Sequence, residues 1–238
     1  MTLELTLVED VPGAFATLFG AALAATPAGA ALRYGCSGGT TGRAVMDRLA
    51  ATPLEWGKVS LFFADERFVP PGSSEANEAQ VRAALGSHVD ELAGFSPMRC
   101  SEGPVAYEEL LRAAGELHVL QLGVGPDGHT ASLFPGSSGL EAPPGRLVVE
   151  NEDPSGRNPH RRSTLTFEAI SSSHLVVVTL TGADKAAVLA RLAGGEDLPA
   201  GRLPADHTIW LVDPPAAAGL PARPAGVEEL EELGRRAR

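Results

Sequence analysis

The chain has 238 residues, of which 44% are hydrophobic and 21% charged, the composition of a globular protein rather than a disordered or fibrous one. Its formal net charge of −11 argues against a general nucleic-acid or anionic-membrane binder, since both depend on clustered positive surface. No apolar run approaches the ~20 residues of a membrane span, no secretory signal is visible, and two cysteines make neither a disulfide framework nor a metal cluster. We therefore expect a cytoplasmic protein.

Strand and helix signals alternate along the chain. Apolar spacing predicts strands over 3–8, 30–34, 59–64, 117–122, 147–150, 163–167, 175–181 and 208–212, and helices over 12–25, 40–50, 75–85, 104–115 and 183–192. A helix start after 212, and a tail over 227–238 that is either a charged amphipathic helix or a frayed end, complete the prediction. The alternation indicates an α/β fold whose mainly parallel sheet is covered on both faces. No repeat or long linker divides the chain, so residues 1–238 are expected to form a single domain.

Three loops fall at the carboxyl ends of predicted strands, where ligands bind in open α/β sheets. The first, from Gly35 to Thr41, is glycine-rich and leads into a predicted helix. Free backbone N–H groups and the helix dipole favour an anion there, so the candidate phosphate-binding residues are Ser37, Gly38, Gly39 and Thr40. Residues 35–39 also match the G-x-S-x-G nucleophile elbow, with Ser37 as nucleophile. A plain tight turn, with Thr40 capping the helix, is the third interpretation.

The second loop is Asp65-Glu66-Arg67, directly after the predicted strand 59–64. Arg67 can form a bidentate pair with a phosphate, a charge-assisted contact of about 1.5–3 kcal/mol. The carboxylates, including Asp65, would lock this arginine in place or neutralise it. The alternative is an ordinary solvated charge run at the end of a strand.

The third loop, from Gly123 to Gly136, follows the predicted strand 117–122. Its G-x-G-x-x-G match is weak evidence for a dinucleotide, because Asp127 would repel a pyrophosphate and Glu141, at the spacing of a ribose-binding acid, lies in a Pro/Gly-rich segment. A histidine in such a loop can act as a general base near neutral pH, although many single histidines are caps or surface residues. His129 is therefore the candidate base, and Asp127 the group that orients His129 or the water.

Basic side chains outside these loops supply the remaining candidates. Arg157, Arg161 and Arg162 interrupt an acidic chain and either provide a positive field for an anionic substrate or are ordinary loop arginines. Lys185, at a predicted strand-to-helix junction, is either a placed ammonium or an ordinary first-turn lysine. None of the six histidines has metal-site spacing to another His or Cys, so we predict no metal.

Taken in chain order, these segments resemble the 6-phosphogluconolactonase family. The matching stretches are Ser37–Thr41, Asp65–Pro70 (Asp-Glu-Arg-x-Val-Pro), Asn77, Gly123–Gly136, Arg162–Thr166 (Arg-x-Thr-Leu-Thr), Gly182–Lys185 and Trp210–Asp213. The stretch Gly123–Gly136 is the most specific of them. Together they run from about residue 30 to residue 215, nearly the whole chain.

The resemblance implies a modified Rossmann-like three-layer sandwich, as in glucosamine-6-phosphate deaminase, without a nicotinamide cofactor. It implies hydrolysis of 6-phospho-D-glucono-1,5-lactone to 6-phospho-D-gluconate, the second step of the oxidative pentose phosphate pathway. It also implies that His129 is the base, with Arg67, Arg162 and Lys185 around the phosphorylated substrate. The expected partner is thus a small sugar-phosphate lactone, and we expect a monomer that uses no cofactor and binds neither nucleic acid nor membrane.

The sequence departs from the family pattern at three places. Gly42 stands where many members have proline, and Glu75-Ala76-Asn77 lacks the serine before asparagine. The Pro-Lys-Pro-Pro stretch expected before Arg162 is replaced by Arg157-Asn158-Pro159-His160-Arg161. Arg157 or Arg161 is therefore the candidate for the phosphate contact that the family's lysine makes.

Three other functions compete with lactone hydrolysis. A sugar-phosphate deaminase on the same fold is disfavoured because Phe134 stands where that enzyme has a catalytic glutamate. A serine hydrolase would use Ser37 and would be labelled by a fluorophosphonate. A non-catalytic sugar-phosphate sensor would bind without turnover, but a sensor needs no base such as His129.

Overall fold

The computed structural model describes residues 3–70 and 72–237. Its strands are β1 (Leu5–Leu7), β2 (Leu32–Cys36), β3 (Val59–Phe63), β4 (Asp65–Arg67), β5 (Gly94–Ser96), β6 (Val119–Leu122), β7 (Val148–Asn151), β8 (Arg162–Leu165), β9 (Leu175–Leu180), β10 (Thr208–Val212) and β11 (Ala222–Pro224). Its α-helices are α1 (Val11–Ala25), α2 (Gly39–Ala50), α3 (Asn77–Leu85), α4 (His88–Glu91), α5 (Gly103–Ala114), α6 (Phe167–Ser171), α7 (Ala186–Ala193) and α8 (Val227–Arg235). None of these helices is long and apolar enough to cross a membrane.

Eight strands form one parallel sheet in the order β11-β1-β10-β9-β6-β2-β3-β5. Helix α1 packs against α2 and α8, while α5 packs against the small sheet described below. The expected α/β sandwich with a mainly parallel sheet is therefore confirmed. The central strands β6 and β9 are buried along their whole length, as continuous apolar runs require.

The strand order places a topological switch between β2 and β6. From β2 the chain proceeds outward through β3 to β5, and it then returns to β6 on the other side of β2 before reaching β9 and β10. The loops that follow β2 and β6 therefore leave the sheet in opposite directions and open a crevice at its carboxyl edge. The glycine-rich loops after Cys36 and Leu122 begin at this crevice.

Several segments differ from the sequence prediction, which also lacked the short elements β5, β11, α4 and α6. Asp65–Arg67, expected as a loop, is strand β4, and it pairs antiparallel with β8, which pairs antiparallel with β7. The strands predicted over 147–150 and 163–167 thus form a small sheet of their own with β4, outside the parallel one. Strand β8 ends at Leu165 because the Thr166 side chain accepts a hydrogen bond from the Ala169 N–H and caps α6. The helix expected after 212 is replaced by turns that lead into β11.

Candidate active site

A cavity of about 470 Å³ opens at the carboxyl ends of β2, β3, β6 and β9. These four strands are neighbours in the sheet, so their loops meet at one edge. The cavity is lined by Ser37, Gly38, Gly39, Thr40, Thr41, Gly42, Asp65, Arg67, Asn77, Gly123, Val124, Gly125, Ala131, Thr179, Leu180, Thr181, Asp184 and Lys185. All three loops that the sequence singled out contribute to it.

The loop after β2 presents an uncapped helix N-terminus to the cavity. Helix α2 begins after Gly38, and no side chain caps its first turn, so Thr40 is not the cap. Gly39 has φ +83°, a left-handed conformation that favours glycine. Free N–H groups at this end of the helix form a site suited to an anion. The Ser37 hydroxyl is buried and has no hydrogen-bond partner among the described residues, so no base in that part of the chain contacts it as a serine nucleophile requires.

Asp65 joins three parts of the site at the end of β3. One carboxylate oxygen accepts a 2.6 Å hydrogen bond from the Ser132 hydroxyl, and the other accepts one of 3.2 Å from the Asn77 amide. The Arg162 guanidinium lies 3.9 Å from the first oxygen. Asp65 thus links the loop after β6, which carries Ser132, to the start of α3 and to strand β8. It also lines the cavity.

Glu66 carries a structural rather than a ligand-binding role. Its carboxylate is buried and accepts hydrogen bonds from the backbone N–H groups of Arg67, Asn77 and Glu78. Burial raises the pKa of this carboxyl, and the three N–H donors act in the opposite direction. By capping the first turn of α3, Glu66 fixes the position of Asn77 beside Gly38.

The loop after β6 folds back on itself and presents His129. The N–H of Gly125 donates to the His129 carbonyl, the N–H of Gly128 donates to the Gly125 carbonyl, and the Thr130 hydroxyl donates to the Gly123 carbonyl. The imidazole lies directly against Gly125, which lines the cavity, but neither His129 nor Asp127 is itself among the lining residues. The histidine side chain is 21% exposed, so water can reach it.

The imidazole of His129 is held by Asp127. An oxygen of this carboxylate lies 2.5 Å from Nδ1 of the ring and also accepts the His129 backbone N–H at 3.2 Å. Burial pushes the pKa of Asp127 upward, but these hydrogen bonds and the charge of His129 outweigh it and hold the pKa below its ordinary value. An ionised Asp127 accepts a hydrogen bond from Nδ1–H of the ring, which leaves Nε2 unprotonated in the neutral imidazole. This is the arrangement of a general base.

Ala131 and Phe134 lie in the same loop, on the C-terminal side of His129. Ala131, which lines the cavity, has φ +46°, a conformation that costs about 1 kcal/mol or more for a residue with a Cβ atom. The Phe134 ring is fully buried, and its centroid lies 5.0 Å from that of His129. Backbone strain at Ala131 and the packing of Phe134 both restrict where the imidazole can lie.

The basic candidates divide into two groups. Arg67 and Lys185 line the cavity. The Lys185 ammonium donates a 3.1 Å hydrogen bond to the Val124 carbonyl, in the loop that also carries His129. Arg162 is buried beside Asp65, and burial lowers the pKa of its guanidinium. Arg157 is exposed and does not line the cavity. Arg161 stacks on the Phe68 ring at 4.0 Å and pairs with Glu150 at 3.4 Å.

Sequence reasoning missed Gln121 and Thr179 beneath the cavity. Gln121, in β6, is fully buried; its amide oxygen accepts the Ser37 N–H at 3.1 Å and its amide nitrogen donates to the Thr179 hydroxyl at 2.8 Å. Thr179, in β9, lines the cavity. The available signal was a single polar residue in each of two otherwise apolar buried strands.

Four buried polar atoms around the cavity have no partner within the described residues: Ser37 Oγ, Arg67 Nε, Asn77 Oδ1 and Asp127 Oδ2. Six other buried polar atoms in the described part of the chain also have no partner, so these four are donors and acceptors that a ligand in the cavity can use rather than a signal found only there. Among residues 3–70 and 72–237, no cluster of three or more His, Cys, Asp or Glu side chains has the geometry to hold a metal ion.

Comparison with known proteins identifies the family. The model of the family described as glucosamine-6-phosphate isomerases/6-phosphogluconolactonase matches residues 7–210. The chain belongs to this family. A 6-phosphogluconolactonase of Mycobacterium tuberculosis is 40% identical over 210 residues, which cover 78% of this chain and 84% of that protein.

Solved structures agree with the family assignment. A 6-phosphogluconolactonase of Thermotoga maritima is 26% identical and superposes with a TM-score of 0.74, covering 88% of this chain and 99% of that one. A monomeric glucosamine-6-phosphate deaminase superposes with a TM-score of 0.71 at 18% identity, covering 91% of this chain and 99% of that one. The second likeness concerns the fold alone, and it confirms the expected relation to the deaminase fold.

Proposed function

We propose that this chain hydrolyses 6-phospho-D-glucono-1,5-lactone to 6-phospho-D-gluconate in the oxidative pentose phosphate pathway, with His129 as general base. The observation that carries the proposal is the Asp127–His129 pair at 2.5 Å, placed against the wall of a cavity that Arg67 and Lys185 also line. The pair provides a base, and the two cations provide attraction for a sugar phosphate. The names of the curated relatives support the same activity.

The proposed reaction uses a water molecule as nucleophile. Neutral His129 takes a proton from this water at Nε2 while the oxygen attacks C1 of the lactone. The tetrahedral intermediate collapses, the bond from C1 to the ring oxygen breaks, and the imidazolium returns its proton to that oxygen. Because a lactone is an activated ester, a well-placed base contributes a typical ~10²–10⁴-fold without a covalent intermediate.

Asp127 stabilises the imidazolium that forms during the reaction. Its carboxylate keeps Nδ1 protonated and therefore directs Nε2 toward the water. The negative oxygen on C1 requires N–H donors, which backbone groups of the glycine-rich loops supply. Asp65 acts by holding Ser132 and Asn77 in place and by facing the sugar from the cavity wall.

The phosphate is assigned to the positive side of the cavity. Gly38, Gly39 and Thr40 at the start of α2, with Ser37, offer backbone and hydroxyl donors, and Arg67 and Lys185 offer charge. Arg162 reaches this region through its ion pair with Asp65. Arg157 is exposed outside the cavity, so we assign it no phosphate contact in this arrangement.

We further propose that residues 1–238 act as one catalytic domain, as a cytoplasmic monomer without a cofactor. With the exception of Phe134, the buried apolar side chains of the described residues form one continuous cluster, which supports a single domain. The negative net charge of −11 supports the absence of nucleic-acid binding.

A coupled assay tests the proposed function. Glucose 6-phosphate and its dehydrogenase generate the lactone, and 6-phosphogluconate dehydrogenase reports the hydrolysed product, with the spontaneous rate subtracted. We expect a large enzyme-dependent acceleration that falls by about 10²–10⁴-fold in His129→Ala. Binding of 6-phosphogluconate should persist in this variant. Binding without acceleration in the parent protein would instead establish a sensor, and activity lost in Ser37→Ala with fluorophosphonate labelling would establish a serine hydrolase.

A further inference from the structure

The segment that departs from the family pattern lies beside Arg67. His160 and Glu75 are 85 residues apart in sequence, yet Nε2 of His160 lies 2.9 Å from a carboxylate oxygen of Glu75. The backbone carbonyl of the same Glu75 accepts a 2.7 Å hydrogen bond from Nη1 of Arg67. The imidazole of His160 therefore contacts the residue that holds the guanidinium of the cavity.

Further contacts join the same two stretches of chain. In the β4–β8 pair, Arg67 stands opposite Arg162, and the Phe68 N–H donates to the Arg161 carbonyl at 2.9 Å. Nε of Arg162 donates to the His160 carbonyl at 3.2 Å. Residues 160–162 thus fix both the backbone of Arg67 and, through Glu75, one end of its side chain.

Asp153 orders the loop that delivers His160. One of its carboxylate oxygens accepts the backbone N–H and the hydroxyl of Ser155, and the other accepts the backbone N–H and the side-chain amide of Asn158. Burial pushes the pKa of Asp153 upward, but these four hydrogen bonds outweigh it and hold the pKa well below its usual range. Pro159 then restricts the backbone between Asn158 and His160. The loop is therefore prepared to place His160 before any ligand arrives.

We propose that Asp153 and His160 are positioning residues for Arg67, the arginine to which the proposed function assigns the phosphate. His160 holds Glu75, and the Glu75 carbonyl holds Nη1 of Arg67, so that the remaining guanidinium donors face the cavity. This inference rests on the proposed function, since it assigns a role within phosphate binding. It gives the altered loop a function that does not require Arg157 or Arg161 to touch the substrate.

The mechanism affects binding rather than the chemical step. Neither His160 nor Glu75 lines the cavity, and neither contacts Asp127 or His129. Loosening Arg67 weakens ground-state and transition-state binding of the phosphate equally, which raises KM and leaves kcat unchanged. Because the His160–Glu75 contact is partly exposed, with side-chain exposures of 27% and 58%, we expect an effect of about 1.5- to fivefold.

The test compares four variants by steady-state kinetics and by competitive inhibition with inorganic phosphate. His160→Ala and Asp153→Ala should each raise KM and the inhibition constant of phosphate by about 1.5- to fivefold with kcat unchanged. His160→Gln should restore both, because its amide can still donate to Glu75. His88→Ala is the matched control, since His88 makes an equivalent 3.0 Å contact with Glu91 on α4, outside the cavity lining.

The outcomes separate this inference from the proposed function. If the parent enzyme turns over lactone but His160→Ala keeps its KM and its phosphate inhibition constant, the positioning role is wrong and the lactonase assignment stands. A fall in kcat at constant KM overturns it equally. If the parent shows no enzyme-dependent hydrolysis, the proposed function itself fails. Thermal unfolding of each variant shows whether a kinetic change comes from loss of the fold, in which case His160→Gln decides the question.

Discussion

The imidazole of His129 occupies the space that a side chain on residue 125 would need. A Cβ atom added to Gly125 would overlap Cε1 and Nδ1 of the ring. Gly125 does not have a left-handed backbone conformation, so its backbone angles do not require a glycine here. The close approach of the His129 ring does. The position of the imidazole is therefore set by a missing side chain as much as by the hydrogen bond that His129 donates to Asp127.

Gly125→Ala should lower kcat while leaving the protein folded. The added methyl group overlaps the imidazole and also crowds the Asp127 carboxylate, so the pair must shift. A displacement of about 1 Å in a catalytic group can reduce turnover by about 10²-fold. Steady-state kinetics together with Tm measures the effect. Gly226→Ala is the matched control, because a Cβ atom there meets no other atom within 4 Å. Equal kcat in Gly125→Ala and the parent enzyme would contradict a fixed position for His129.

Asp127→Asn should lower kcat by less than His129→Ala does. The asparagine side chain fits the same space but carries no charge, so it neither enforces the Nδ1–H form of the ring nor stabilises the imidazolium. The base itself is still present, and binding of 6-phosphogluconate should not change. A kcat for Asp127→Asn equal to that of the parent would show that His129 needs no orienting carboxylate.

Gln121→Leu should destabilise the protein and raise KM. The substitution leaves the Ser37 N–H without its buried acceptor and removes the donor to the Thr179 hydroxyl, which keeps only its 3.4 Å bond to the Leu122 carbonyl; the loss costs about 1–3 kcal/mol in the free energy of unfolding. Ser37 starts the loop that the proposed function assigns to phosphate, so its displacement weakens substrate binding. Urea unfolding and the coupled assay measure the two effects. Gln121→Glu, which keeps an acceptor for Ser37, should recover KM more fully than it recovers stability.

His118 should make the fold sensitive to acid at the amino edge of the sheet. Its Nδ1 accepts the Arg33 backbone N–H at 2.9 Å, and the Arg33 guanidinium lies 2.9 Å from Nε2. The His174 ring stands edge-on at 5.1 Å, and His174 and Arg33 both contact Glu116. Burial, followed by the charges of Arg33 and His174, lowers the pKa of His118 from 6.5 to about 4. The folded protein therefore holds this ring neutral.

The lowered pKa fixes the sign of the effect. The unfolded chain takes up a proton on His118 near pH 6.5, whereas the folded protein does so only near pH 4. The contribution of His118 to the free energy of unfolding is thus fully present above about pH 6.5 and is lost as the pH falls toward 4. Because the ring is only partly buried, solvent screening reduces the loss to about 1–2 kcal/mol. Urea unfolding at pH 7 and pH 4.5 should show a smaller loss for His118→Gln than for the parent, and equal losses would contradict the mechanism.

The sequence by itself determined the alternation of strands and helices and the loops that line the cavity. Both follow from local causes: an apolar run such as 59–64 specifies a buried strand, and glycines such as Gly39 mark turns that a Cβ atom would strain. Because the carboxyl ends of parallel strands meet at one edge, the three loops could be assigned to one site without knowledge of the strand order.

Only the tertiary structure decided which side chains meet. Strand β4 has three residues, too few for a periodic signal, and its pairing with β8 sets Arg67 opposite Arg162 across a long sequence separation. The contacts from His160 to Glu75 and from Gln121 to Ser37 span 85 and 84 residues. Such contacts depend on where the sheet places each loop, and no local pattern encodes that placement.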